Sequence, residues 1–259
     1  MKTEIKEKKK HSNAKKVFAA IGIVLAMIII ADIISVNWHS NPKNIKTYET
    51  DNNYIVGMGN TQISAHRSGG GIMPEETMAA FKNCAENPDF KIDTFEFDLH
   101  ITKDDVLVLL HDDTLDRTSN SAEIFGKEEA RPEEYTYDEL RTLNMGAKFA
   151  DESGNMPYKD IDKDNVPDDI KILRIEDVLD YLTSLGEYDY IIEIKNSGDL
   201  GKKGVDILYN ILVDKNLLDC VVFGSFHEEV SHYVDEKHPD LMRSATIKEV
   251  LTFWAAALR

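Results

Sequence analysis

Two hydrophobic patterns divide the chain. Residues 17–36 form an unbroken apolar run, VFAAIGIVLAMIIIADIISV, with Asp32 its one ionisable group. At about 1.5 Å per residue, a helix of this length spans the roughly 30 Å hydrocarbon core of a bilayer. From Thr61 onward, short apolar runs alternate with segments whose apolar positions recur at helical spacing. Runs at 63–65, 94–99, 106–110, 190–194, 221–225 and 241–245 predict strands. Segments 74–87, 137–143, 174–185, 204–215, 227–236 and 247–258 predict helices. Such alternation implies a parallel sheet with helices packed outside it, and no internal repeat is visible. Between the two patterns, residues 38–60 are polar and turn-rich and read as a linker.

The segment 1–16 carries Lys2, Lys6, Lys8, Lys9, Lys10, Lys15 and Lys16 against Glu4 and Glu7. By the positive-inside rule this end stays cytoplasmic. Residues 17–37 then anchor a single-pass protein in the cell membrane, with everything after Trp38 outside. The competing reading is a cleaved signal peptide, which has an apolar region of about 7–15 residues and a small-x-small cleavage site. Ser35-Val36-Asn37 fits such a site poorly. The formal charge is −17 despite the basic start, so the exported part is strongly acidic. That argues against nucleic acid as a partner and demands local positive charge for any anionic substrate. Cys84 and Cys220 are expected as buried free thiols.

The chemistry-bearing residues are His66-Arg67, Glu96-Phe97-Asp98 and His111-Asp112, each expected at the C-terminal end of a predicted strand. Strand side chains alternate, so Glu96 and Asp98 share one face while Phe95, Phe97 and Leu99 share the other. In a parallel sheet covered on both sides, inward carboxylates need a cation or another partner. The 190–194 run places Glu193 and Lys195 on one face. An all-oxygen set of Glu96, Asp98 and Glu193 favours one divalent cation, Mg²⁺ or Ca²⁺, over zinc. Arg67 and Lys195 are natural clamps for phosphate oxygens. Two histidines and a carboxylate-bound cation supply the proton acceptor, proton donor and positive charge that phosphodiester hydrolysis needs. Ser68-Gly69-Gly70-Gly71 precedes the 74–87 helix, whose first turn is expected to hold Pro74, Glu75 and Glu76. Glycines ahead of a helix suit an anionic group.

The HR…ExD…HD pattern, AHRSGGGIMPEET, DLHITKDDVLVLLHDDTLDRTSN, RIEDVLDYL and YIIEIK together resemble the glycerophosphodiester phosphodiesterase family, phospholipase C-like phosphodiesterases of the TIM-barrel type. The resemblance runs from about Ile63 to the end. It implies a (β/α)₈ barrel with the active site at the C-terminal ends of the strands. It also implies that His66 and His111 are the acid–base pair, that Glu96, Asp98 and Glu193 hold the metal, and that Arg67 and Lys195 bind the phosphate. The reaction would be in-line displacement by the glycerol 2-hydroxyl or by water, giving glycerol 3-phosphate and an alcohol. The substrate would be a small-molecule or lipid-derived glycerophosphodiester.

Two departures from the family pattern stand out. Where the family usually has Pro-Glu-Asn-Thr, this chain has Pro74-Glu75-Glu76-Thr77. Glu76 is expected either to weaken anion binding or to point outward, and Glu75 to support the site. The domain at 61–259 offers six predicted strands and fewer residues than the roughly 250 of a complete barrel. It is therefore expected to lack the last two βα units, leaving open strand edges. Two alternatives follow: action on lysophospholipids or polyglycerol-phosphate polymers, or an inactive surface-anchored binding module. The stretch 119–170 is expected to cover part of the site. Within it, 160–165 imitates the start of a calcium loop but lacks the glycine and the closing glutamate, and reads as acidic surface. His100, His227, His232 and His238 are expected as surface or supporting groups.

Overall fold

A computed structural model describes residues 2–39 and 62–257. Most of the predicted linker, from residue 40 to 60, lies outside the described residues. The chain divides into two compact units, one of residues 1–59 with 255–259 and the other of residues 60–254. In the first, helix α1 runs over Lys2–His39. Its segment Lys16–Ser35 is long and apolar enough to cross a membrane, with mean hydropathy 2.9 and none of it buried. A signal sequence would share those features.

The second unit is an α/β fold around a mainly parallel sheet. Strands β1 (Ser64–Ala65), β2 (Thr94–Ile101), β4 (Asp189–Ile194) and β5 (Val221–Gly224) lie side by side in the order β1-β2-β4-β5, and β3 (Leu107–Leu109) pairs with β2. The register sets Ala65 beside Phe95, Asp98 beside Glu193, and Glu193 beside Gly224. The expectation of parallel pairing fails at one strand. β3 runs antiparallel to β2, with Leu99 opposite Leu109 and Ile101 opposite Leu107. The link 102–106 is far shorter than the dozen or so residues a parallel crossover takes, so a hairpin is the available solution. Thr102 closes its turn, the Oγ1 accepting from the Val106 N–H at 2.9 Å, with Asp105 at φ 67°. The sixth predicted strand, 241–245, reduces to a bridge between Phe223 and Arg243 in the parallel sense.

Alternation along β2 and β4 sorts the two faces as expected. Phe95, Phe97, Leu99, Tyr190, Ile192 and Ile194 are buried beneath the helices. Phe81, from helix α2 (Met78–Ala85), lies 5.6 Å from the Phe95 ring and 5.8 Å from that of Phe97. Helix α5 (Ile175–Leu185) contributes Ile175, Val178, Leu179 and Leu182 at helical spacing. The stretch between β3 and α5 holds two short helices, α3 (Ser121–Phe125) and α4 (Tyr137–Leu140), over a second core of Val108, Leu110, Leu115, Leu140, Leu143 and Ile172. The opposite face of the sheet carries Glu96, Asp98, Ile191 and Glu193. It is not covered as a closed parallel sheet would be, since Ile191 is 37% exposed. Helices α6 (Gly198–Lys215), α7 (Glu228–Lys237) and α8 (Ile247–Ala257) complete the described chain.

Candidate active site

The predicted site residues lie on β2 and where β1, β3 and β4 end. His66 follows β1 directly and opens a 3₁₀ turn, His66–Ser68. Arg67 and Ser68 sit in the left-handed region at φ 47° and 59°, followed by Gly69 at 90°. For non-glycine residues such backbone costs about 1–3 kcal/mol each and persists where the surroundings enforce it. Here Glu96 helps to enforce it: its Oε2 accepts the Arg67 N–H at 2.7 Å and lies 3.8 Å from His66 Nε2. The His66 ring is 73% exposed.

Glu96 and Asp98 stand within β2 rather than at its end, because the hairpin carries the strand onward. That hairpin also returns His111 to their level. The Leu110 N–H donates to the Asp98 carbonyl at 3.0 Å, so the next residue emerges beside the carboxylates. His111 Nδ1 lies 2.7 Å from Asp112 Oδ1. Asp112 is gripped in turn by Arg117, whose Nε and Nη2 donate at 2.5 and 3.0 Å. The same guanidinium holds Glu75 through two bonds of 2.9 and 2.6 Å. The side-chain hydrogen bond from Arg117 holds the Asp112 carboxyl down to about 2. Burial pushes Glu75 up, but Arg117 and Arg67 more than offset that and leave it below its ordinary value.

Lys195 lies between the carboxylates of two strands, its Nζ 3.0 Å from Glu193 Oε1 and 3.5 Å from Asp98 Oδ1. Burial alone would lower its pKa, yet these carboxylates hold it above the ordinary lysine value. Burial, then repulsion from Glu96, raises Asp98, and burial raises Glu193. Asp98 is 1% exposed, and its carboxylate meets the Lys195 ammonium and the Glu76 side chain, to which it is hydrogen-bonded. A carboxylate buried this deeply needs such partners, and its oxygens are donors of the kind a hard cation takes. The donors therefore fit a hard divalent ion in kind. Among the described residues, however, no three His, Cys, Asp or Glu side chains stand at metal-ligand spacing, and the ammonium of Lys195 takes the place between Asp98 and Glu193.

Several expectations need correction. Arg67 is not among them; its Nη1 donates to Glu75 Oε1 at 3.4 Å. Pro74, Glu75 and Glu76 are not the first turn of a helix. Thr77 is the N-cap of α2, its Oγ1 accepting from the Ala80 N–H, and the two glutamates precede it. Glu76 points inward, with φ 56°, and its Oε1 accepts the Asp98 N–H at 2.7 Å. Burial, then the charge of Asp98, drives its pKa well above the ordinary carboxylate value. Two of the three glycines ahead of α2 are closely packed: a Cβ on Gly70 would lie 2.7 Å from that of Glu75, and one on Gly69 would collide with Cys84 Sγ. Cys84 is buried as expected, whereas Cys220 is partly exposed. His100 is fully buried with both ring nitrogens unpartnered, and burial lowers its pKa to about 4. His227 supports the site from behind, its Nε2 3.0 Å from the Lys195 carbonyl. His238 pairs with Asp206 and His232 lies near Glu228.

Two residues near the site carried no role in the sequence reading. Arg117 had no signal beyond its place in the DDTLDRTSN segment. Phe226, just past β5, is 67% exposed and offers its ring to Lys195 Nζ at 5.6 Å; an aromatic residue one step beyond Ser225 was its only signal.

Comparison with known proteins agrees with this fold. The profile of the glycerophosphoryl diester phosphodiesterase family matches residues 66–256. A glycerophosphodiester phosphodiesterase of Caldanaerobacter subterraneus subsp. tengcongensis is 27% identical over 70% of this chain and 64% of its own. The uncharacterized protein YqiK of Bacillus subtilis is 30% identical over 74% of this chain and 68% of its own. Among solved structures, an Oleispira antarctica phosphodiesterase in complex with the product sn-glycerol-3-phosphate superposes with a TM-score of 0.57 at 19% identity. That match covers 76% of this chain and 72% of the Oleispira chain and bears on the fold. The chain thus spans just under two thirds of the Caldanaerobacter relative's length.

Proposed function

The chain belongs to the glycerophosphoryl diester phosphodiesterase family, and from that premise we propose that it hydrolyses glycerophosphodiesters to glycerol 3-phosphate and an alcohol. The observation that carries the reading is the register of Asp98 against Glu193, with Lys195 between them and His66 and His111 nearby. Glu96, Asp98 and Glu193 would hold one divalent cation, Mg²⁺ or Ca²⁺. When bound, the cation offsets charge on the non-bridging phosphoryl oxygens.

The protein's own groups do the rest. Asp112 accepts the His111 Nδ1 proton, which leaves Nε2 as the atom that exchanges a proton with the substrate. His66, on the open side, has the freedom to meet the other oxygen of the in-line displacement. One histidine takes a proton from the glycerol 2-hydroxyl or from water, and the other protonates the departing alcohol. Lys195 supplies a fixed positive charge for the phosphoryl group in a strongly acidic protein.

The N-terminal apolar helix supports an anchor at 17–37, with the basic end cytoplasmic and the catalytic unit outside the cell membrane. The exposed Phe226 ring over Lys195 supports a second reading, in which the leaving alcohol is large and apolar, as in a lysophospholipid. The deciding experiment is release of glycerol 3-phosphate by the full chain in detergent. Glycerophosphocholine and a lysophospholipid would be compared with Mg²⁺, Ca²⁺ or chelator, beside His66→Ala. Cation-dependent release that His66→Ala abolishes establishes the enzyme, and the preferred substrate separates the two readings. Binding of either substrate without turnover would instead make this an inactive binding module.

A further inference from the structure

The two proposed acid–base histidines sit on separate segments of the chain, and an ion pair joins those segments. The turn that carries His66 folds back on itself, the Glu76 N–H donating to the Arg67 carbonyl at 3.2 Å. Backbone therefore holds Glu75 beside that turn, and its Oε1 also accepts from Arg67 Nη1 at 3.4 Å. From there the carboxylate reaches across to the segment that carries His111. Arg117 grips both oxygens of Glu75, Nη1 donating at 2.9 Å and Nη2 at 2.6 Å. The same planar fork donates through Nε and Nη2 to Asp112, whose Oδ1 lies 2.7 Å from His111 Nδ1. A continuous path of bonds thus runs from His66 through Arg67, Glu75, Arg117 and Asp112 to His111.

The pair of Glu75 with Arg117 has little to offer stability, because the Arg117 side chain is 45% exposed and ion pairs open to water contribute little. A bidentate fork does fix distance and orientation. In-line displacement needs its proton acceptor and its proton donor on opposite sides of phosphorus, so the spacing of the two histidines matters to the rate. We infer that Glu75 and Arg117 form a strut that sets the separation of His66 and His111, which makes Glu75 a positioning residue for both. The inference rests on the acid–base reading of the two histidines and adds a residue that acts on them through others.

The test measures turnover by the full chain in detergent, with Mg²⁺ or Ca²⁺ present, for wild type, Glu75→Gln, His66→Ala and His111→Ala. Glu75→Gln keeps the size of the side chain and removes the charge that holds the fork. The expected result is a fall in kcat of roughly 10²-fold, the effect of displacing a catalytic group by about 1 Å. KM should change far less, and the melting temperature should stay close to that of wild type. Two substrates separate the histidines: glycerophosphocholine, whose alcohol is protonated as it leaves, and the p-nitrophenyl ester of glycerol phosphate, whose leaving group departs without a proton. The variant of the proton donor should recover most of its loss on the p-nitrophenyl ester, and the variant of the proton acceptor none. Glu75→Gln should recover part, since it displaces both. A kcat in Glu75→Gln within about twofold of wild type overturns the inference, as does a loss matched by a large fall in melting temperature. Full recovery on the ester, or none, overturns the role toward both histidines. Should Glu75→Gln not fold, Glu75→Asp, which keeps the charge but shortens the reach by one methylene, is read in the same way. In protein labelled with ¹⁵N-histidine, the His111 Nδ1–H resonance reads the strut without turnover. It should move in Glu75→Gln, although Glu75 reaches that ring only through Arg117 and Asp112. An unmoved resonance overturns the strut whether or not wild type turns over, while absence of product from wild type overturns the phosphodiesterase reading alone.

Discussion

Asp98 and Glu193 face each other across two parallel strands, and one lysine, Lys195, reaches both carboxylates. Backbone register fixes where the two side chains start, side by side on one face of the sheet. Replacing Lys195 by Met leaves the buried Asp98 and the half-buried Glu193 without their counter-charge. Removing one partner of a buried ion pair costs about 3–5 kcal/mol. The expected outcome is a lower melting temperature in chelator, largely restored by Ca²⁺, together with a fall in kcat. Scanning calorimetry with and without the cation reads the first part, and product release reads the second.

On the proposed mechanism, Arg117 acts on the chemistry through Asp112. Its planar fork satisfies Asp112 and Glu75 together, which fixes the acceptor behind His111. Arg117→Lys keeps the charge but cannot span both carboxylates. Misplacement of a catalytic group by about 1 Å costs up to about 10²-fold in rate. Arg117→Lys should therefore lower kcat by roughly that factor with little change in KM. His111→Ala should lose about 10²–10⁴-fold, as expected for a direct proton-transfer group. Steady-state kinetics of the two variants, side by side, checks the ranking.

Much of this site was legible because strand alternation is rigid: Glu96 and Asp98 at i and i+2 had to share a face, and Glu193 with Lys195 likewise. The strand at Leu107–Leu109 was found but its direction was not, although the short 102–106 link already excluded a parallel crossover. Glu76 was misread because Pro74-Glu75-Glu76 imitates a helical first turn, while Thr77 carries the actual cap. Arg117 was invisible for a different reason. Its partner Glu75 lies 42 residues away, and no local periodicity reports a contact made only by the folded chain.

Acid and base should act in opposite directions on stability. Asp112 has a folded pKa of about 2, below the roughly 3.9 of an unfolded aspartate. Its contribution is complete above about 3.9 and is lost as pH falls toward 2. Asp98 and Glu193 are raised by burial, so their contribution is complete below the ordinary carboxylate range and is lost as pH rises through their folded values. In chelator, melting temperature should fall as pH rises above the ordinary carboxylate range, and Asp98→Asn should blunt that fall. Ca²⁺ should raise the melting temperature more at pH 7 than at pH 5, because it prefers the ionised carboxylates. Asp112→Asn should flatten the acid side alone.

Gly69 separates backbone cost from packing cost in the turn that carries His66. Its φ of 90° disfavours any side chain, and a Cβ there would also run into Cys84 Sγ, which donates to the Ser68 carbonyl at 3.3 Å. Gly69→Ala should lose about 1–2 kcal/mol from the left-handed backbone, with a further steric loss. Combining it with Cys84→Ala removes the collision but not the backbone cost, so the double-mutant cycle should show a favourable coupling of about 0.5–3 kcal/mol. Gly71→Ala is the matched control: a Cβ there meets nothing within 4 Å, and the change should stay within about 0.5 kcal/mol. Urea unfolding of the four variants measures all of these terms. If the turn positions His66, Gly69→Ala should also lower kcat while Gly71→Ala leaves it unchanged, since the glycines then serve the geometry of the histidine rather than a phosphate cradle.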